Sequence, residues 1–226
     1  MEEKKIEIIY SDSDVAVCLK PHGVACEAAD GRECMPALIA RALGNEERYI
    51  GTVHRLDTVT GGLMIYSLNP KTAGRLSESI AARETEKEYL AVVHGCPEEL
   101  SGELCDLLFR DAKKNRSFVV DRMRRGVKEA ILSYRLLETK ETAYGPLSLI
   151  RVRLTTGRTH QIRAQFSSRS MPLFGDGKYG SRANAKSVAL FSTRLAFPHP
   201  KSGKRMEFEL LPEGGIWQEF DIRSEK

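Results

Sequence analysis

The chain predicts an α+β fold, a mainly antiparallel mixed sheet with flanking helices and loops. Two observations carry this reading. Strand-like segments clearly outnumber helical ones, and they do not alternate with helices in the βαβ rhythm of a parallel sheet. At 226 residues the chain is long enough for one large domain or two small ones, with glycine-rich turns but no repeat and no long linker.

The elements follow in order. Ile6–Tyr10 and Val15–Leu19 are β-rich runs separated by the turn formers Ser11–Asp14, which suggests a hairpin. Gly62–Leu68 reads as a buried strand. It ends at Asn69-Pro70, where Asn69 can cap a helix with Pro70 at its first position, running to about Arg83. Glu88–Val93 and Glu129–Leu137 read as strands. Leu147–Leu154 alternates, with Ile150, Val152 and Leu154 on one face and Arg151 and Arg153 on the other. A short helix is predicted from about Thr159 to Ser167, with Ile162 and Phe166 one turn apart. Ser187–Phe197 and Arg205–Leu211 are late strands.

Composition removes several classes. The chain is 41% apolar and 29% charged, ordinary for a soluble protein. No apolar run approaches the roughly 18 residues of a membrane helix. The opening MEEKKIEIIY has no signal-peptide core, so a cytoplasmic protein without a membrane partner is expected. The cysteines Cys18, Cys26, Cys34, Cys96 and Cys105 include no CxxC pair and are odd in number. Reduced and mostly buried thiols are expected rather than a zinc site or a disulfide frame. No GxxxxGK[ST] or GxGxxG loop is present, so ATP or NAD chemistry has no support and no cofactor is implied.

The net charge of +4 is unevenly spread. Residues 1–50 are net −4. Residues 110–128 hold Arg110, Lys113, Lys114, Arg116, Arg122, Arg124, Arg125 and Lys128 against two aspartates, net +6. Residues 151–186 are net +7, with Asp176 their one acid. A polyanion-binding face needs such asymmetry, although a solvated basic surface would show it too.

Two stretches are more polar than their setting demands. Val53-His54-Arg55-Leu56-Asp57-Thr58-Val59-Thr60-Gly61-Gly62-Leu63 leads into a strand and holds one acid among hydroxyl and flexible residues. Thr156-Gly157-Arg158-Thr159-His160-Gln161-Ile162-Arg163 turns from a strand into a helix and packs two arginines and a histidine into six residues. A nearby guanidinium keeps an aspartate ionised and oriented, which a nucleophile or base requires. In isolation either motif reads more simply as a turn cap and surface ion pairs.

HRLDTVTGGL resembles the HRLD-x-x-T-S-G-L signature of the RluA family of pseudouridine synthases. TGRTHQIRAQF followed by MPLFGDGKYG is similar to that family's GR-x-HQIR and P-x-x-GD-x-x-YG block. DVAVCLKPHG, KEYLAVVHG and LAFPHP are similar, in the same order, to its K-P-x-G turn, its K-x-Y strand and its late L-x-F-x-HP. The resemblance spans about residues 6–212 and implies the pseudouridine synthase fold, with 1–226 as a single catalytic domain that lacks an S4 domain.

The resemblance also implies roles, matched position by position. Asp57 is the catalytic aspartate that detaches uracil at its N1–C1′ bond, Arg163 pairs with it, and Tyr89 stacks on the uracil. Arg55 fills the gap left by the flipped nucleotide. His54, Thr60, Arg158, His160 and Gln161 complete the substrate-binding set, the histidines as orienting groups rather than acids or bases. A base inside an RNA stack is out of reach, so it must be flipped out, and an aromatic face and a guanidinium replace the lost stacking. The implied activity is isomerisation of a specific uridine in tRNA or rRNA, with no cofactor and no required protein partner, by a monomer. With no S4 domain, RNA is expected to be held by the basic stretches, above all by Lys113, Lys114, Arg116, Arg122, Arg124, Arg125 and Lys128.

Five positions, in three places, depart from the pattern. Gly61 stands where serine is usual, which is expected to loosen the loop behind Asp57. Ala164-Gln165 and Ser192-Thr193 replace valine-histidine and histidine-alanine. Two other readings use the same residues: an inactive RNA-binding protein of this fold, and an aspartate-dependent hydrolase. Intact Asp57, Tyr89 and Arg163 argue against the first, and the lack of a second matched carboxylate argues against the second.

Overall fold

A computed structural model describes residues 6–28 and 33–222. Parts of the acidic opening segment, 1–5 and 29–32, and the last residues 223–226 of the expected single domain lie outside the described residues. The chain divides into two compact units, residues 1–87 with 191–210, and residues 88–190 with 211–226.

In the first unit, β1 (Glu7–Ser11) and β2 (Val15–Lys20) form the expected hairpin. β4 (Gly61–Ser67) takes β2 antiparallel on one side and β3 (Gly51–Thr52) antiparallel at its end. It pairs in parallel with β10 (Leu190–Pro198) at Gly61 and Gly62, and β11 (Arg205–Glu209) closes on β10 antiparallel. Every residue of β4 is buried, as its apolar run requires. Val15, Val17, Leu63, Ile65, Leu76, Leu195 and Phe197 form the core of this unit.

The helix α2 (Pro70–Ala81) starts as predicted, with Asn69 Oδ1 accepting the Thr72 N–H at 3.0 Å. It ends two residues before the predicted Arg83, because Arg83 turns left-handed at φ 62° and stops the α-helical hydrogen-bond pattern. A further helix, α1 (Met35–Ala42), was not predicted. Its N-terminal Cys34 makes no side-chain cap, and it buries Met35, Leu38, Ile39 and Ala40.

The second unit is an antiparallel sheet. β5 (Glu86–His94) enters it from the first unit and pairs with β9 (Gly145–Leu154). β9 pairs with β8 (Val127–Thr142), β8 with β6 (Ser101–Asp111), and β6 with β7 (Arg116–Val120). β8 runs five residues beyond the predicted Leu137, past a register shift near Glu138, because its ladder to β9 continues down to a tight turn at Gly145. Ile150 and Val152 of β9 are fully buried while Arg153 is exposed, as the alternation predicts. The helix α3 (Gln161–Ser167) packs against the sheet through Ala164, in a cluster with Leu108, Ala130 and Tyr179.

The expected α+β class with a mixed, mainly antiparallel strand pattern holds. Cys18, Cys26 and Cys34 are buried and Cys96 and Cys105 exposed, all five as free thiols.

Candidate active site

Asp57 lies half-buried in the turn between β3 and β4, and its carbonyl accepts the Thr60 N–H at 2.9 Å. That turn is held from beneath by Lys20, the last residue of β2. Lys20 is fully buried, and its Nζ donates to the carbonyls of Pro21 (3.0 Å), Thr58 (3.2 Å) and Thr60 (2.7 Å). Burial pushes its amine down to about 8, while the negative charge of Asp57 favours the protonated form. Gly23, in the K-P-x-G turn, adds its N–H to the Thr58 carbonyl at 2.8 Å.

The preceding residue, Leu56, is gripped by Cys26. The thiol donates to the Leu56 carbonyl at 3.0 Å and accepts the Leu56 N–H at 3.2 Å. Cys26 is a reduced, buried thiol that acts as a bracket, a role that no spacing rule for cysteine signals.

Gly61 does not leave a gap behind Asp57. A Cβ there would meet the His22 ring at 2.8 Å, and His22 Nδ1 lies 2.8 Å from the Val59 carbonyl. The histidine of KPHG fills the room that a serine would use, so the expected loosening does not occur. Gly62, at φ 117°, could carry no side chain without striking the Ser192 backbone of β10.

His54 is buried, and its Nε2 accepts the Ile65 N–H of β4 at 3.1 Å. Burial, helped by the nearby charge of Lys87, holds it well below the usual histidine range, so it is a neutral strut. Thr60 is buried too, and the Arg55 guanidinium is exposed and paired with Glu27 at 2.9 Å. An exposed pair of this kind is worth about 0–1 kcal/mol, so Arg55 leaves it easily.

In the second unit, Arg163 sits on α3 with 4% exposure. Asp176, 1% exposed, takes two of its nitrogens, Nε to Oδ2 at 2.6 Å and Nη2 to Oδ1 at 2.9 Å. The Tyr179 ring lies 4.9 Å from the Arg163 guanidinium and 4.7 Å from that of Arg116. The Tyr179 hydroxyl accepts the Ser117 N–H at 2.9 Å and lies 3.0 Å from His160 Nδ1. His160 is left-handed, at φ 54°, which delays the start of α3 from the predicted Thr159 to Gln161. Holding a histidine there costs roughly 1 kcal/mol, and its bond to Tyr179 helps to offset it.

Gln161 spends its amide on the protein. Oε1 accepts from Thr156 Oγ1 and the Arg158 N–H, and Nε2 donates to the Ile131 carbonyl. Arg158 Nε donates to the Glu129 carbonyl at 2.8 Å. Gln165, in place of the usual histidine, ties α3 to β6 and β8 through the carbonyls of Leu104 and Ala130. Tyr89 is 5% exposed on β5, opposite Val152 of β9.

Lys113 and Lys114 form the exposed tip between β6 and β7, and Arg122, Arg124 and Arg125 lie on the exposed turn before β8, where Lys128 follows. Arg116 instead turns inward over the rings of Phe118 and Tyr179. In the second basic stretch three arginines are paired, while Arg153, Lys178, Arg182 and Lys186 are exposed. Arg151 pairs with Glu88, Arg163 with Asp176 and Arg169 with Asp106.

Asp12, Asp14 and His199 are close enough to share a metal ion. Their atoms are spent on the fold: Asp12 caps the β1–β2 turn and receives His199 Nε2 at 2.9 Å, and Asp14 bonds Ser13 and Asn69.

Residues 14–168 match the model of the RNA pseudouridylate synthase family. An uncharacterised RNA pseudouridine synthase of Bacillus subtilis is 33% identical over 222 residues, covering 94% of this chain and 71% of the relative. The ribosomal large subunit pseudouridine synthase D of Zymomonas mobilis is 31% identical, over 90% of this chain and 68% of its own. In fold, the chain is similar to human RNA pseudouridylate synthase domain containing 1, with a TM-score of 0.76 over 94% of this chain and 86% of that one, at 23% identity.

The family match over residues 14–168 and the shared α+β fold define an RNA-modifying isomerase. The chain belongs to the RNA pseudouridylate synthase family, RluA branch, and converts uridine to pseudouridine in RNA. Sequence reasoning left two neighbours of Arg163 without a role. Asp176 and Tyr179 both stand in the MPLFGDGKYG block, so the signal was present; what it lacked was the third dimension. Among the described residues no helix is long and apolar enough to cross a membrane.

Proposed function

We propose that Asp57 carries out the isomerisation at one uridine of a structured tRNA or rRNA. It starts the cleavage of the N1–C1′ bond, the freed uracil turns, and C5 joins C1′ as the C5 proton is lost and N1 gains one. Arg163 acts as the partner of Asp57, Tyr89 stacks on the uracil, and Arg55 leaves Glu27 to occupy the gap in the RNA. His54 and Thr60 shape the Asp57 turn, and Arg158, His160 and Gln161 shape the approach to Arg163. Lys113, Lys114, Arg122, Arg124, Arg125 and Lys128 hold the RNA, with Arg116 stiffening their base. Residues 1–226 act as a single cytoplasmic catalytic domain, a monomer that needs neither cofactor nor protein partner.

The observation that carries this reading is the bracing of Asp57. Lys20, Cys26 and the Thr60 N–H fix the backbone on each side of one half-exposed carboxylate, and fixed geometry is what a reacting group needs.

The test is tritium release from transcripts labelled at uridine C5, using tRNAs and rRNA fragments, with the native protein and Asp57→Asn. Release by the native protein alone is expected, and mapping the modified position then names the RNA. Equal release by both proteins would remove Asp57 from the chemistry.

A further inference from the structure

The turn Asp121–Gly126 joins β7 to β8 and is exposed throughout. Three of its side chains are arginines, as a phosphate-binding surface requires, yet it opens with a carboxylate, which repels phosphate. With the end of β7 it forms a groove of about 570 Å³ lined by Val119, Val120, Asp121, Arg122 and Arg124. That size lies within the range of small-ligand sites.

The groove combines an apolar wall, two guanidiniums and one carboxylate. Arg124 lies with its guanidinium 5.1 Å from the centre of the Phe109 ring. An aromatic beneath a guanidinium holds it flat, and a flat guanidinium stacks a nucleobase on its outer face. Met123, between two of the arginines, is 62% exposed and adds apolar surface beside them.

We propose that this groove is a subsite for one unpaired guanosine of the RNA, a nucleotide other than the uridine that is isomerised. Its base stacks on Arg124, its Watson–Crick edge meets Asp121, and an adjoining phosphate meets Arg122. This inference rests on the reading that the 121–126 turn contacts RNA. The choice of base follows from donor counting. Guanine presents two adjacent N–H donors, at N1 and N2, which match the two oxygens of a carboxylate. The same edge of adenine, cytosine or uracil offers a single donor group beside an acceptor that a carboxylate repels. Pairing would consume this edge, so the guanosine must be unpaired.

The test uses the full chain and three 5′-labelled pentaribonucleotides, AAGAA, AAAAA and AAIAA, where I is inosine, which lacks the guanine 2-amino group. Dissociation constants come from fluorescence anisotropy at one fixed salt concentration. The native protein is expected to bind the guanosine oligomer about tenfold more tightly than the adenosine one, in the range of a good bidentate base contact. Inosine should fall between them, and Asp121→Asn, with an unchanged melting curve, should bring all three within about twofold of one another. Equal binding of all three by the native protein would overturn the subsite. So would an Asp121→Asn protein that binds every oligomer more tightly but keeps the native order, since Asp121 would then only repel phosphate. Failure to bind any oligomer would sink the RNA contact of the turn itself, a result distinct from binding without discrimination.

Discussion

A guanidinium on a free side chain samples many rotamers and delivers its charge to no fixed point. Arg163 is different: Asp176 takes Nε and Nη2 in a fork, and the Tyr179 ring limits motion out of its plane. The pair is buried, so removing the carboxylate leaves a buried charge short of its partner, which costs about 3–5 kcal/mol. Asp176→Asn should therefore lower the melting temperature and, at temperatures where it is folded, lower kcat by about a hundredfold, the scale of a 1 Å misplacement. KM should move little, and Asp176→Glu should restore part of kcat. A change in KM alone would place Arg163 in RNA binding rather than in the chemistry. The motifs that hold Asp57 and Arg163 are legible in the sequence because they are short and local. The fork between Arg163 and Asp176 spans thirteen residues and a change of direction, which no local pattern encodes.

At the scale of elements, the end of β2 and the β3–β4 turn act as one part, because Lys20 of the strand serves three carbonyls, two of them in the turn. A protonated amine has three hydrogens for those three acceptors and a neutral amine has two. As pH rises through about 8, the burial-depressed value of Lys20, one carbonyl loses its donor and the turn under Asp57 loosens. The rate of isomerisation should decline with a midpoint near pH 8. Stability takes the opposite sign. Between about 8 and 10.5 the unfolded chain holds a proton that the folded one has released, so this group's contribution to folding rises with pH. Rate profiles and denaturant melts across pH 7–10 check both, and a decline in rate centred near 10.5 would mean an ordinary, solvated lysine. The elements that sequence reveals, such as α2 with its Asn69 cap and the buried β4, are those whose signals lie within their own residues. β6 and β7 were missed because β6 carries few buried apolar residues, chiefly Leu104 and Leu108, and owes its form to its ladder with β8. α1 was missed for want of a side-chain cap.

Across the whole molecule a net charge of +4 conceals a basic ribbon in residues 110–128. Within the two basic stretches, which look alike in sequence, the structure separates paired charge from exposed charge. In 151–186 the arginines at 151, 163 and 169 are neutralised by carboxylates, whereas Arg122, Arg124 and Arg125 stand on an exposed turn. Charge that is already paired releases no counterions from RNA; exposed charge does. Reversing these three arginines to glutamate should weaken RNA binding and flatten the dependence of log Kd on log salt by about one unit for each phosphate that is no longer neutralised. The same reversal should leave the melting temperature nearly unchanged, since none of the three is buried. Anisotropy titrations between low and moderate salt measure the slope directly. A slope equal to that of the native protein would mean that the polyanion is held elsewhere, and that the ribbon's charge serves solubility rather than RNA.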